Sequence, residues 1–137
     1  MSGDKGQGLR LLHVEDDPAI RAIARIALTQ VGQFTLQSCA SGAEALEIGP
    51  SYDPHVLLLD VMMPGMDGPT TLRGLAQRMS LEHRLVMFMT AKVQPCDIER
   101  YREEGAQGVI IKPFDAMRLY RTVLDEWDAL RERRSRA

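Results

Sequence analysis

The chain has few cysteines and no long apolar run. Cys39 and Cys96 lie far apart among 137 residues and form no CxxC pair, so a disulfide framework or a cysteine zinc site has no support. No segment approaches the ~20 apolar residues of a membrane-spanning helix. Residues 1–8 are polar and Gly-rich, without the apolar core of a signal peptide. We therefore expect a cytoplasmic protein that does not bind membranes and has a flexible leader at residues 1–8.

Charge is also nearly balanced. The formal net charge is -2 and hydrophobic residues make up 45% of the chain, which favours neither general nucleic-acid binding nor disorder. His13, His55 and His83 share no metal-ligand spacing, so a histidine metal site is not supported. A chain of this length suits one domain with one core.

Strand and helix patterns alternate along the chain. Short apolar runs predict five strands, at residues 9–14, 34–38, 55–60, 85–90 and 108–111. Helical spacing follows each run, at residues 18–31, 41–48, 68–79, 95–104 and from Asp115 onward, with Gly49 and Pro50 expected to end the second helix. Such alternation predicts an α/β fold in which helices cover both faces of a doubly wound, five-stranded parallel sheet.

Residues suited to phosphoryl chemistry stand where these strands end. Glu15 and Asp16 follow the first strand, Asp60 ends the third, Thr90 the fourth, and Lys112 follows the fifth. Each has a simpler explanation when taken alone, as a helix cap, a turn residue or a surface lysine. Because the carboxyl ends of parallel strands share one edge of the sheet, we expect the five side chains to converge there.

The residue types then indicate the chemistry. Glu15, Asp16 and Asp60 would repel one another without a cation, and a cluster of carboxylate oxygens suits Mg²⁺. Asp60 could act as a nucleophile that forms an acyl phosphate, while Lys112 and Thr90 stabilise charge on the phosphoryl oxygens. Asp17, directly before Pro18, is expected to cap the first helix instead of binding a metal.

Four motifs, in this order, resemble those of the receiver domains of two-component response regulators. They are VEDDP at residues 14–18, LDVMMPGMDG at 59–68, MTAK at 89–92 and IKPF at 111–114. The resemblance covers residues 9–131 and implies a flavodoxin-like sheet with strand order 2-1-3-4-5. It also implies that Asp60 is the phosphoacceptor, Thr90 the switch hydroxyl and Lys112 the stabilising lysine. Glu15, Asp16, Asp60 and the backbone carbonyl of Met62 are the implied Mg²⁺ ligands.

The same resemblance implies the partners. A histidine kinase or a histidine phosphotransfer protein would donate the phosphoryl group, and the chain would catalyse only its own phosphorylation and dephosphorylation. An unknown downstream protein would bind the face made by helix 4, strand 5 and helix 5. A domain of this size leaves no room in this chain for a DNA-binding domain. Residues 132–137 are expected to form a basic, solvated tail.

One position departs from the family pattern. Receivers usually carry Tyr or Phe three residues before the lysine, and this chain has Val109 there. Burial of that ring is coupled to movement of the switch hydroxyl in the family, so the usual route of signal propagation is in question. The sequence also leaves the isomer of the Lys112–Pro113 bond open.

Three other functions fit the sequence less well. A phosphohydrolase resembling haloacid dehalogenases would need a second Asp two residues after the nucleophile, where Met62 stands. A flavin or nucleotide carrier would want a Gly-rich loop after the first strand, but Glu15, Asp16 and Asp17 would repel a phosphate there. A receiver used only for docking would not need the complete acidic cluster.

Overall fold

Strands and helices alternate through the whole chain, as the sequence predicts. The computed structural model describes residues 5–91 and 93–136. The strands are β1 Arg10–Val14, β2 Thr35–Cys39, β3 Val56–Asp60, β4 Leu85–Thr90 and β5 Gly108–Ile111. The helices are α1 Pro18–Ile26, α2 Gly42–Tyr52, α3 Gly68–Ala76, α4 Pro95–Glu103 and α5 Leu119–Ser135, and a π-helical turn, Ala27–Val31, extends α1.

All neighbouring strands of the sheet are parallel. Their order is β2-β1-β3-β4-β5, which confirms the doubly wound topology and the 2-1-3-4-5 order. Every residue of β3 and β4 is buried, as expected for strands covered on both faces. The switch in strand order lies between β1 and β3, which is where open α/β sheets place their ligand sites.

Side chains of β3 alternate between two apolar cores because successive residues of a strand point to opposite faces. Val56 and Leu58 pack with residues of α1 and α5, whereas Leu57 and Leu59 pack with residues of α2, α3 and α4. The apolar run before Asp60 therefore anchors that carboxylate from both faces of the sheet.

Two helix boundaries differ from those expected. Helix α2 does not end at Gly49 and Pro50 but continues to Tyr52, and Asp53 closes it with a positive φ of 55° and a hydrogen bond from its N–H to the Gly49 carbonyl. Pro50 lacks an N–H and removes one helical hydrogen bond, and the bond from the Asp53 N–H closes the helix beyond it. Asp115 does not cap α5: its side chain accepts from the Met117 N–H in a turn that precedes the helix.

Both described ends of the chain contact or continue the fold. Gly6 donates its N–H to the Gly32 carbonyl at 2.7 Å, and the Lys5 ammonium donates to the Val31 carbonyl. Residues 132–135 belong to α5. Residues 1–4 and Ala137 lie outside the described part of the chain. Within that part, no helix is both long enough and apolar enough to cross a bilayer.

Candidate functional site

Two carboxylates are held at the carboxyl edge of the sheet by the strands themselves. Glu15 continues the β1–β2 pairing through its N–H, which donates to the Cys39 carbonyl at 3.0 Å. Asp60 ends β3, and the next N–H, from Val61, donates to the Met89 carbonyl of β4 at 2.9 Å. Glu15 is 1% exposed and Asp60 is 3% exposed. Both acids are therefore removed from water by the backbone arrangement.

Lys112 joins these two acids. Its N–H donates to the Thr90 carbonyl at 2.9 Å, which fixes the residue just after β5. Its ammonium nitrogen lies 2.7 Å from Glu15 Oε1 and 2.9 Å from Asp60 Oδ1. The side chains that follow β1, end β3 and follow β5 thus meet, although they are dozens of residues apart in sequence.

Asp16 completes an acidic cluster. One oxygen from each of Glu15, Asp16 and Asp60 lies within 4.8 Å of the other two, a spacing that allows one ion to contact all three. Three carboxylates beside one ammonium leave two formal negative charges. This all-oxygen, doubly negative donor set fits a divalent cation such as Mg²⁺.

Burial dominates the electrostatics of the cluster. Loss of solvent raises the pKa of Glu15 and the negative charge of Asp60 adds to that effect, whereas the hydrogen bond from Lys112 opposes it. Burial alone would lower the pKa of Lys112, but its bonds to Glu15 and Asp60 raise it overall. Lys112 therefore stays cationic at neutral pH, and its ammonium favours the ionised form of Glu15.

Arg21 and Asp17 fix the loop after β1. The guanidinium of Arg21 donates to the Glu15 carbonyl at 2.8 Å and to the Asp16 carbonyl at 3.3 Å. Asp17 accepts from the N–H groups of Ala19 and Ile20, which confirms that it caps α1. Because these contacts hold the backbone, the carboxylate of Asp16 is left to face the cluster.

The loop after β3 folds back tightly on Asp60. A Cβ at Gly68 would lie 2.6 Å from the Asp60 carbonyl oxygen, so only glycine allows this approach. Asp67 then caps α3 by accepting from the Thr70 N–H at 2.8 Å. Met62 lies in this loop with a side chain that is 76% exposed.

Thr90 ends β4, the strand next to the one that ends at Asp60. It is 4% exposed and stands in register with Ile111 of β5, one residue beyond Met89, which pairs with Asp60. After β5, the Lys112–Pro113 peptide bond is cis; the sequence alone did not decide between cis and trans. Lys92, the last residue of the MTAK motif, lies outside the described residues.

An apolar hollow beside Lys112 was not expected from the sequence. It has a volume of about 330 Å³ and is lined by Ile20, Ile23, Ala91, Lys112, Pro113 and Phe114. Ile23 lies on the apolar stripe of α1 by its helical spacing, yet it is 49% exposed. The apolar stripe of α1 is wider than the surface that the sheet and α5 cover. Periodicity identifies such a stripe but not how much of it is covered.

Comparisons with known proteins agree with this arrangement. The family described as response regulator receiver domain matches residues 11–124. Transcriptional regulatory protein CseB of Streptomyces avermitilis is 33% identical over 105 residues, which are 77% of this chain and 43% of that protein. Protein-glutamate methylesterase/protein-glutamine glutaminase 2 of Rhodopseudomonas palustris is 36% identical over 108 residues, or 77% of this chain and 28% of that protein. The chain thus spans less than half of these two relatives.

Solved structures give the same result. Chemotaxis protein CheY4 of Vibrio cholerae superposes with a TM-score of 0.79 at 25% identity, covering 85% of this chain and 97% of that one. The signal receiver domain of the putative response regulator NarL from Mycobacterium tuberculosis gives a TM-score of 0.75 at 26% identity, covering 89% and 98%.

A buried histidine near this cluster predicts a pH effect on stability. His13 on β1 is fully buried, and its ring nitrogens have no hydrogen-bond partner among residues 5–91 and 93–136. Burial, with the positive charges of Lys112, Arg21 and Arg25, lowers the pKa of His13 from 6.5 to about 4. Between pH 6.5 and about pH 4, His13 is protonated in the unfolded chain but neutral in the folded chain. Stability should therefore fall by about 3 kcal/mol as pH drops from 6.5 towards 4.

Urea unfolding of the parent and of His13→Leu across this pH range measures that effect. The variant should lose less stability on acidification than the parent, and His83→Leu, which removes an exposed histidine, should follow the parent. An identical pH dependence in the parent and His13→Leu would contradict the assignment.

Proposed function

The chain belongs to the receiver domains of two-component response regulators, and on that basis we propose that Asp60 accepts a phosphoryl group from a phosphohistidine. The donor is a histidine kinase or a histidine phosphotransfer protein. The observation that carries the proposal is the Lys112 ammonium, 2.9 Å from Asp60 Oδ1 and bonded to Glu15 in a buried acidic cluster. An oxygen of Asp60 attacks phosphorus, the phosphorus–nitrogen bond breaks, and its electron pair returns to the donor imidazole.

Glu15, Asp16, Asp60 and the backbone carbonyl of Met62 would hold Mg²⁺. When bound, Mg²⁺ neutralises negative charge on the transferring phosphoryl group. The chain's own contribution is to hold the Asp60 carboxylate in place beside the Lys112 ammonium. Burial excludes competing water, and the β3 backbone aims the carboxylate at the rim of the sheet.

Lys112 and Thr90 stabilise the charge that develops. The Lys112 ammonium is a compact cation already in contact with the nucleophile, so it can pair with a phosphoryl oxygen without a large movement. The hydroxyl of Thr90, at the end of the neighbouring strand, donates to a second phosphoryl oxygen and moves towards it. The chain thereby catalyses only its own phosphorylation and dephosphorylation.

The apolar hollow supports docking of the donor. Ile20 and Ile23 of α1 and Phe114 after β5 form an apolar surface next to Lys112. An apolar helical surface that carries phosphohistidine could cover them and bring the imidazole close to Asp60. The face made by α4, β5 and α5 remains for a downstream protein, and the chain acts in the cytoplasm, where such donors act.

The rival functions fit the site less well. A phosphohydrolase would use an acid two residues after Asp60, but that residue is Met62, which is exposed in the loop. A flavin or nucleotide phosphate would meet the paired carboxylates of Glu15 and Asp60 at the rim. A receiver used only for docking would have no need of a lysine that bridges two buried acids.

The proposal predicts Mg²⁺-dependent labelling of Asp60. Incubation of the parent with acetyl phosphate and Mg²⁺ should add one phosphoryl group per chain by intact mass, and hydroxylamine should remove it because the product is an acyl phosphate. Asp60→Asn should gain none. Asp125→Asn, which changes an exposed acid of α5, should be labelled like the parent. A label that persists in Asp60→Asn, or one that forms equally after Mg²⁺ is chelated, would contradict the proposal.

Substitution of two adjacent acids should affect Mg²⁺ affinity differently. Asp16→Asn removes a charged ligand and should weaken Mg²⁺ binding about tenfold or more. Asp17→Asn should leave the affinity unchanged, because asparagine also caps a helix and the Asp17 side chain bonds the first N–H groups of α1. Calorimetric titration with Mg²⁺ measures both. Equal affinities in the parent and Asp16→Asn would refute the assigned ligand set.

A further inference from the structure

Tyr101 is the single buried residue of helix α4. The other residues of Pro95–Glu103 are exposed or half-buried, whereas Tyr101 is 3% exposed. Its ring packs edge-to-face on Phe88 of β4, with ring centroids 5.2 Å apart and an interplanar angle of 73°. This aromatic contact is therefore the main apolar attachment of α4 to the sheet.

Phe88 connects this contact to the functional site. It lies two residues before Thr90 on β4, so both side chains point to the same face of the sheet. Phe88 also stands in register with Val109 of β5. The ring of Tyr101 thus packs beside the position where the family usually has an aromatic residue.

Space is available next to Val109. Tyr101 and Val109 line a cavity of about 190 Å³, together with Ala106 and Gly108. A cavity of ~150 Å³ is enough to hold benzene. The small residues around Val109 therefore leave room for an aromatic ring on the side of β5 that faces α4.

We propose that Tyr101 of α4 supplies the aromatic switch that Val109 of β5 lacks. When Thr90 moves towards the phosphoryl group on Asp60, the end of β4 shifts and the Phe88 contact changes. The Tyr101 ring then moves into the space beside Val109. Because Tyr101 anchors α4, the helix moves with it, and a downstream protein meets a changed α4 surface. Tyr101 is thus a positioning residue, and its role rests on the proposed phosphorylation of Asp60.

The chain carries a convenient reporter of α4. Cys96 lies in the first turn of α4 and is exposed, whereas Cys39 is buried. Burial raises the pKa of the Cys39 thiol to about 12, so a thiol reagent at neutral pH labels Cys96 selectively. A trifluoromethyl group on Cys96 then reports movement of α4 by ¹⁹F NMR.

The test uses the labelled full chain with Mg²⁺ and beryllofluoride, which mimics the phosphoryl group. One ¹⁹F spectrum shows both the fluorides bound at Asp60 and the label on Cys96. In the parent, bound fluoride should appear and the Cys96 signal should shift. In Tyr101→Leu, bound fluoride should remain while most of the Cys96 shift is lost. Tyr120→Leu, a matched change of a half-buried tyrosine on α5, should keep the shift.

The outcomes separate the two proposals. Absence of bound fluoride in the parent would overturn the proposed function and this inference with it. Bound fluoride with an undiminished Cys96 shift in Tyr101→Leu would overturn this inference alone. If Tyr101→Leu does not fold, Val109→Leu decides the question, because a longer aliphatic side chain in the cavity hinders the movement of Tyr101 without supplying an aromatic ring of its own, and it should reduce the shift. An undiminished shift in Val109→Leu would likewise overturn the inference.

Discussion

The contact of Lys112 with Glu15 and Asp60 is the interaction on which the site depends. Two acids that are almost fully buried would repel each other, and one ammonium within 2.9 Å of both offsets that repulsion. Such buried ion groups add little to stability, because desolvation offsets most of the attraction. In the proposed phosphoryl transfer their value is chemical: they hold the carboxylate of Asp60 in a buried, fixed position.

That contact exists because of the sheet. Parallel pairing brings the ends of β1, β3 and β5 to one edge, and backbone bonds just beyond each strand hold Glu15, Asp60 and Lys112 in place. Glycine at position 68 lets the following loop press against the Asp60 backbone. The apolar run of β3 therefore serves both the core and the site, because it ends in Asp60, the proposed phosphoacceptor.

Much of this could be predicted from the sequence, because strand ends in a parallel sheet must converge whatever the details of packing. The meeting of Glu15, Asp60 and Lys112 follows from that rule. The Asp17 cap follows from its place before Pro18, and the strand order was implied by the resemblance to receiver domains. Other features depend on tertiary contacts. Periodicity alone could not show that Ile23 stays half exposed, or that α2 continues through Pro50. The proposed role of Tyr101 could not be predicted from the sequence either. A single aromatic residue in a polar helix gives no signal until its contact with Phe88, next to Val109, is known.

The most direct test of this account is the rate at which acetyl phosphate and Mg²⁺ label Asp60 in the parent and in Lys112→Met. Methionine is one heavy atom shorter than lysine; it keeps an unbranched side chain and removes the ammonium charge with its hydrogen-bond donors. We predict that Lys112→Met still folds but is labelled about 100-fold more slowly, the loss expected when one preorganised charge-stabilising group is removed. Equal labelling rates in the parent and in Lys112→Met would contradict the account.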